Sequence, residues 1–152
     1  MRWTIKKRGF EHTLLDETSR VAGYVLPRPG GYEIRDACGA TVLRAVGQPP
    51  ASMRISGSRG TGSATMTLGE ARFFLPRRAE SAALQINGVH TALWQSDKRT
   101  FRIVRGQAQI GWIEGMARHP RIELYSQDDF AFAALIYALA LWMYHEDDAP
   151  MV

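Results

Sequence analysis

The chain has 152 residues, 45% hydrophobic and 22% charged, with a formal net charge of +4. This composition suits one ordinary domain with material for a real core, and it excludes a disordered or low-complexity chain. All 19 Lys and Arg and ten of the 15 acids fall within residues 1–127, which carry +9, so the remainder carries −5. Sixteen of the basic residues are Arg. The planar guanidinium fork suits phosphate or carboxylate, although an Arg bias also follows from genomic base composition.

From the N-terminus, "MRWTIKKRGFEHT" has basic residues but no apolar run behind them, so no signal peptide is expected. "RWTIKK" sets Trp3 and Ile5 on one face of a strand, and "RVAGYVL" runs to the "PRPGG" turn at 27–31. "YEIRDACGATVLRAV" reads as a hairpin in which Tyr32 and Ile34 alternate with polar neighbours and residues 36–39 turn. "SMRIS" and "ATMTLGEARFFLP" follow as strands, the second interrupted by Gly69. "AALQINGVHTALWQ" places Asn87-Gly88 between two apolar runs, the strongest short hairpin signal in the chain. "TFRIVRGQAQIGWIEG" is a further hairpin, turning at 105–107, and "RIELYS" is a last strand. "YEIRDACGATV" and "FRIVRGQAQIG" share an aromatic-x-Ile, turn, apolar-strand pattern that reads as a repeat of hairpins. About a dozen short strands joined by tight turns predict a mostly antiparallel barrel or sandwich in one domain, 1–152.

The chain then changes character. "DDFAFAALIYALALWMYHEDD", 128–148, carries no charge from Phe130 to Tyr144 and is closed by acids at both ends. Fifteen helical residues rise only about 22 Å at 1.5 Å each, short of the roughly 30 Å of a bilayer core. No Lys or Arg flanks the stretch, against the basic flank usual for a membrane anchor. Phe132, Leu135, Ile136, Leu139, Trp142 and Met143 occur all round the helix, which implies burial on every side. Alanines keep it narrow and helix-forming, and Asp128 or Asp129 is placed to cap its N-terminus. A narrow, wholly apolar helix at about 129–145, following a dozen strands, has one economical home: the inside of the barrel.

On "YEIRDACGATVLRA", "FRIVRGQAQIGWIEG" and "RIELYSQDDFAFAALIYALALWMYHED" the chain resembles the tubby C-terminal-like superfamily, which includes tubby proteins, phospholipid scramblases and LURP-one-related proteins. The resemblance covers nearly the whole chain and is nearest to the small LURP-one-related or bacterial type. It implies a twelve-stranded antiparallel barrel wrapped around one hydrophobic C-terminal helix. It also implies a binding role, since animal tubby domains hold phosphoinositide head groups through basic residues. The Pro-rich region and cysteine cluster of scramblases are absent. In scramblases, acids before the helix have been assigned to calcium, and Asp128 and Asp129 sit similarly. Two adjacent carboxylates are a poor match to an alternating loop of five or six oxygens, so capping is the better reading.

The candidate binding residues are cationic. Arg77 and Arg78 follow Pro76, and with Arg54 and Arg59 they form an anionic-ligand patch if the loops converge; the alternative is that they are simply solvated. Lys6, Lys7 and Arg8 are placed to touch anionic lipid. "SGSRGTGSAT", 56–65, lacks the Gly-Lys-Ser/Thr ending of a phosphate-binding loop and leads into a strand, so it reads as a strand-to-strand connection. His12, His90, His119 and His145 are scattered, and no hydrolase or metalloprotease motif occurs, so no catalytic residue, metal or cofactor is assigned. Cys38, the single cysteine, excludes an internal disulfide and fits a reducing compartment. Trp3, Trp94 and Trp112 fall in strand patterns and are expected in the core.

The expectation is therefore a non-enzymatic binding or scaffold domain, cytoplasmic or peripheral at a membrane. Its partner would be an anionic membrane surface or phosphoinositide. The alternative is an adaptor for a protein or small ligand whose basic charge is incidental. No transmembrane segment is expected, and no base-reading motif supports nucleic acid.

Overall fold

Strands that alternate apolar and polar residues bury one side only when the sheet finds a cover. Here the sheet curls on itself and is filled by its own helix. The structure is a computed structural model that describes residues 1–48, 51–69, 79–97, 99–116, 118–126 and 129–147. Twelve strands follow in order: β1 (Arg2–Arg8), β2 (Glu11–Leu15), β3 (Val21–Arg28), β4 (Gly31–Asp36), β5 (Thr41–Gln48), β6 (Ser52–Ser56), β7 (Gly62–Leu68), β8 (Ala79–Ile86), β9 (Val89–Asp97), β10 (Thr100–Arg105), β11 (Ala108–Glu114) and β12 (Arg121–Leu124). Each pairs antiparallel with its sequence neighbours, and β1 pairs with β12 to close the barrel, which leaves no open edge.

Helix α1 (Phe130–Asp147) fills the barrel. It starts one residue later and ends two residues later than the sequence suggests. Every residue from Ala133 to Leu141 is buried, as expected of a helix apolar on all sides. No helix among the described residues is long and apolar enough to cross a membrane. Asp129 caps the helix: the Phe132 amide donates to its Oδ1 at 3.0 Å. Asp128 lies outside the described residues.

Two local devices shape this interior. Gly23 on β3 makes room for the helix start, since a Cβ there would sit 2.2 Å from Phe130 Cζ. Deeper in, His12 Nδ1 and the Tyr137 hydroxyl are 2.8 Å apart, a buried hydrogen bond joining β2 to α1. Burial among apolar neighbours pushes the Tyr137 hydroxyl pKa up, with the nearby Tyr32 adding to the effect.

The turns carry their expected chemistry. Asn87 and Gly88 take φ of 51° and 81°, the left-handed pair that an Asn-Gly hairpin turn requires. Asp16 and Asp36 each bond backbone amides two and four residues on, closing the β2–β3 and β4–β5 turns alike. The two hairpins with the shared pattern become β4–β5 and β10–β11, six strands apart and so on opposite sides of the barrel. Strand β2 has no counterpart among the segments read from sequence, because "EHTLL" is short and one of its two inward residues, beside Leu14, is His12. Strand β7 ends at Leu68, short of the stretch read through to residue 76; residues 70–78 lie outside the described ones.

Candidate anion-binding surfaces

Because successive side chains on a strand point to opposite faces, the core residues determine which residues face out. On β4, Tyr32 and Ile34 face in, so Glu33 and Arg35 face out. On β5 and β6, Leu43, Ala45, Met53 and Ile55 face in, which turns Arg44 and Arg54 outward. Register brings these together: Glu33 pairs with Arg44, Arg44 with Ser56, and Val46 with Arg54. The outer face of β3–β6 therefore carries Arg28, Arg35, Arg44 and Arg54 around a single acid.

Glu33 is the hub of this group and is only 8% exposed. It accepts from the Thr41 hydroxyl, from Arg35 Nε at 2.9 Å and from Arg28 Nε at 3.0 Å. Those bonds, the Thr41 one foremost, hold its carboxyl down to about 2 against a partial desolvation that would raise it. Three donors on one carboxylate fix Arg28 and Arg35 against the wall. Arg44 and Arg54 are exposed and make no ion pair with a described residue.

Arg59 is elsewhere. It sits in the β6–β7 turn at the rim where α1 begins, 3.4 Å from Asp129 through Nη1 and Oδ2. The glycine-rich turn is fixed by Asn87, whose Oδ1 accepts from the Thr61 amide at 3.1 Å and whose Nδ2 donates to the Arg59 carbonyl at 3.2 Å. The structure thus separates Arg54, on the wall, from Arg59, at the rim. Arg77 and Arg78 lie outside the described residues. Of the four arginines, the two described ones lie on consecutive elements, Arg54 on β6 and Arg59 in the turn that follows it.

At the same rim a cavity of about 300 Å³ is lined by Leu43, Ile86 and Val89 from the wall, Phe132 from the helix, and Arg59, Arg105 and Asp129. Arg105 went unnoticed in the sequence, yet strand alternation marks it: Phe101 and Ile103 face in, and two residues on Arg105 does the same. Its guanidinium lies 5.0 Å from the centroid of the Phe132 ring, and its Nε donates to Thr91 Oγ1 at 3.3 Å.

A different surface lies on the opposite flank. Trp94, Arg102, Trp112, Glu123 and Arg2 stand in one row across β9, β10, β11, β12 and β1, each directly opposite the next. Trp3 fills the core as expected, but Trp94 is 43% exposed and Trp112 half-buried, both on the outer face, which corrects the expectation for these two. In "ALWQ" and "GWIE" an apolar neighbour, Leu93 or Ile113, takes the inward position instead. Among the described residues no three His, Cys, Asp or Glu gather as a metal site.

Fold and surface together define the class: a closed twelve-stranded barrel plugged by its own helix, with one arginine-rich flank, one aromatic flank and a cavity at one rim. No protein-family model, curated protein or solved structure matches the chain.

Proposed function

We propose that the chain is a non-enzymatic binding domain, cytoplasmic and peripheral at a membrane, whose β3–β6 flank takes anionic phospholipid head groups. The observation carrying this reading is the excess of four arginines over one acid on a single face, with Arg44 and Arg54 exposed beside the Glu33 hub. Each basic residue near an anionic leaflet contributes about 1 kcal/mol, and with Arg28 and Arg35 bound to Glu33 the attraction comes chiefly from Arg44 and Arg54. The resemblance to the tubby C-terminal-like superfamily, whose tubby members hold phosphoinositides, points the same way. The uncharged stretch of the helix, buried from Ala133 to Leu141, takes no part.

Co-sedimentation with phosphatidylserine-containing and phosphatidylcholine-only vesicles tests this. Recovery is expected with the anionic vesicles alone, to fall as salt rises, and to be lost in Arg44→Glu/Arg54→Glu. Equal recovery on both vesicle types sinks the reading.

A second reading has its own support in the Trp94–Arg102–Trp112 row, since exposed Trp and Arg are the residue types enriched at protein interfaces. On that reading the domain is a protein-interaction adaptor. A pull-down that survives Arg44→Glu/Arg54→Glu but not Trp94→Ala/Trp112→Ala would favour it.

A further inference from the structure

The β1–β2 turn is a surface apart from both flanks. Arg8 pairs with Glu11, so Gly9 and Phe10 form a two-residue turn, and Gly9 takes the positive φ of 58° that such a turn needs. Nothing in that geometry asks for an aromatic residue, and Pro29-Gly30, Asn87-Gly88 and Gly106-Gln107 make two-residue turns elsewhere in the barrel. Phe10 buries nothing either. It is 86% exposed, well above Tyr125 at 58%, the next among the described large apolar side chains.

A single exposed apolar residue is ordinary on a protein surface, and what sets this one apart is its collar of cations. Trp3 and Ile5 face the core, so Lys6 and Arg8 continue the outward side of β1. Both are exposed, and neither makes an ion pair with a described residue. Lys7 faces the other way and donates to the Met116 carbonyl at 3.0 Å. Glu11 is the hairpin's one acid.

The tip also adjoins the arginine flank, since β2 pairs with β3. Strands that alternate in direction put the β1–β2, β3–β4 and β5–β6 turns at one end of the barrel, and the β6–β7 turn, where Arg59 meets Asp129, at the other. Toward the tip's end Val46, itself 48% exposed, stands opposite Arg54.

We infer that the β1–β2 turn is a membrane-inserting tip: Phe10 enters the boundary between head groups and acyl chains of an anionic bilayer, and Lys6 and Arg8 stay at the phosphates. The inference rests on the membrane reading above and adds to it an apolar anchor and an orientation. An apolar side chain carried in front of cations matches the layering of an anionic bilayer, with charge outside and hydrocarbon within. A dissolved anion would satisfy the cations and leave Phe10 in water.

A polarity-sensitive dye on a single cysteine, in Phe10→Cys/Cys38→Ser and in Gln107→Cys/Cys38→Ser, reads which end enters. Gln107 is exposed in the β10–β11 turn at the opposite end. With phosphatidylserine-containing vesicles, emission at position 10 should shift to the blue and be quenched by a lipid-borne nitroxide, while position 107 stays unchanged. Unlabelled Phe10→Ala should co-sediment about tenfold more weakly, the scale of one apolar side chain returned to water. Phe10→Leu should keep most of the binding. Because Phe10 supports no packing, both variants are expected to fold. If the unaltered chain sediments while position 10 is silent and Phe10→Ala binds fully, the tip is overturned and the arginine flank stands. A response at 107 in place of 10 overturns it too. No sedimentation of the unaltered chain removes both. Phe10→Ala that keeps its vesicles but loses a protein captured by the unaltered chain would reassign the tip to that partner and overturn the proposal equally.

Discussion

The two flanks of the barrel are built by the same rule and end with opposite characters. On β3–β6, four arginines surround one nearly buried acid. On β9–β12 and β1 two cations pair with acids, Arg2 at 3.3 Å from Glu123 and Arg121 with Glu114, and Arg102 stands in register between two tryptophans. The inward faces of both flanks serve one core. Strand alternation thus settles the inside, while the outside is free to be specialised flank by flank.

The comparison presumes one wall around one core, and the harshest way to break it is to remove the plug. Leu135, Ile136, Tyr137, Leu139, Leu141 and Met143 are buried to 2% exposure or less. At about 1.5–3 kcal/mol each for large apolar side chains, their burial is on the order of 10 kcal/mol, comparable to the whole stability of a typical domain. A chain ending at residue 127 should therefore lose cooperative thermal unfolding and bind hydrophobic dyes. A folded, monomeric 1–127 fragment would show that the flanks hold together without the helix.

Within the core, Tyr137→Phe removes one atom from the bond that ties α1 to β2. His12 Nδ1 then loses that partner, and a cost of about 1–3 kcal/mol is expected in denaturant unfolding. An unchanged midpoint would mean that packing alone positions the helix.

How much of this was legible in advance follows from the same rule. Period-2 alternation and turn residues were enough for the barrel, and fifteen uncharged residues of limited length were enough for the internal helix. Which of two adjacent apolar residues faces inward was not legible: Leu93 and Trp94 are equally acceptable until neighbouring strands fix the register. The arginine flank is also a register effect, since Glu33 and Arg44 are eleven residues apart in sequence and opposite one another in space. That Arg54 falls on a strand and Arg59 in the turn after it likewise follows from where β6 ends. Arg105 could have been found by continuing the alternation of "FRIVR" one step past the apolar residues.

Glu33→Gln tests the arginine flank directly. Its carboxyl is held at about 2 in the fold, against an ordinary value of 4.5. A depressed folded value contributes stability that is complete above the ordinary range and is lost as pH falls from about 4.5 toward 2. The variant should cost about 1–3 kcal/mol at neutral pH and flatten that acid limb. If the wild-type and variant pH profiles run parallel, Glu33 is not the hub that the hydrogen bonds describe.

Glu123→Gln is the matched substitution on the other flank, and here a small effect is the informative one. Arg2 reaches Glu123 from a side chain 70% exposed, so water and salt screen the pair and the arginine gives up little hydration to make it. The expected cost is about 0–1 kcal/mol. The row Trp94–Arg102–Trp112 should keep its place, because backbone pairing of β9, β10 and β11 sets it. A cost for Glu123→Gln equal to that for Glu33→Gln would erase the distinction between the flanks. A small one means that two acids on opposite flanks of one wall differ because one is enclosed by three donors and the other meets a single, largely exposed arginine.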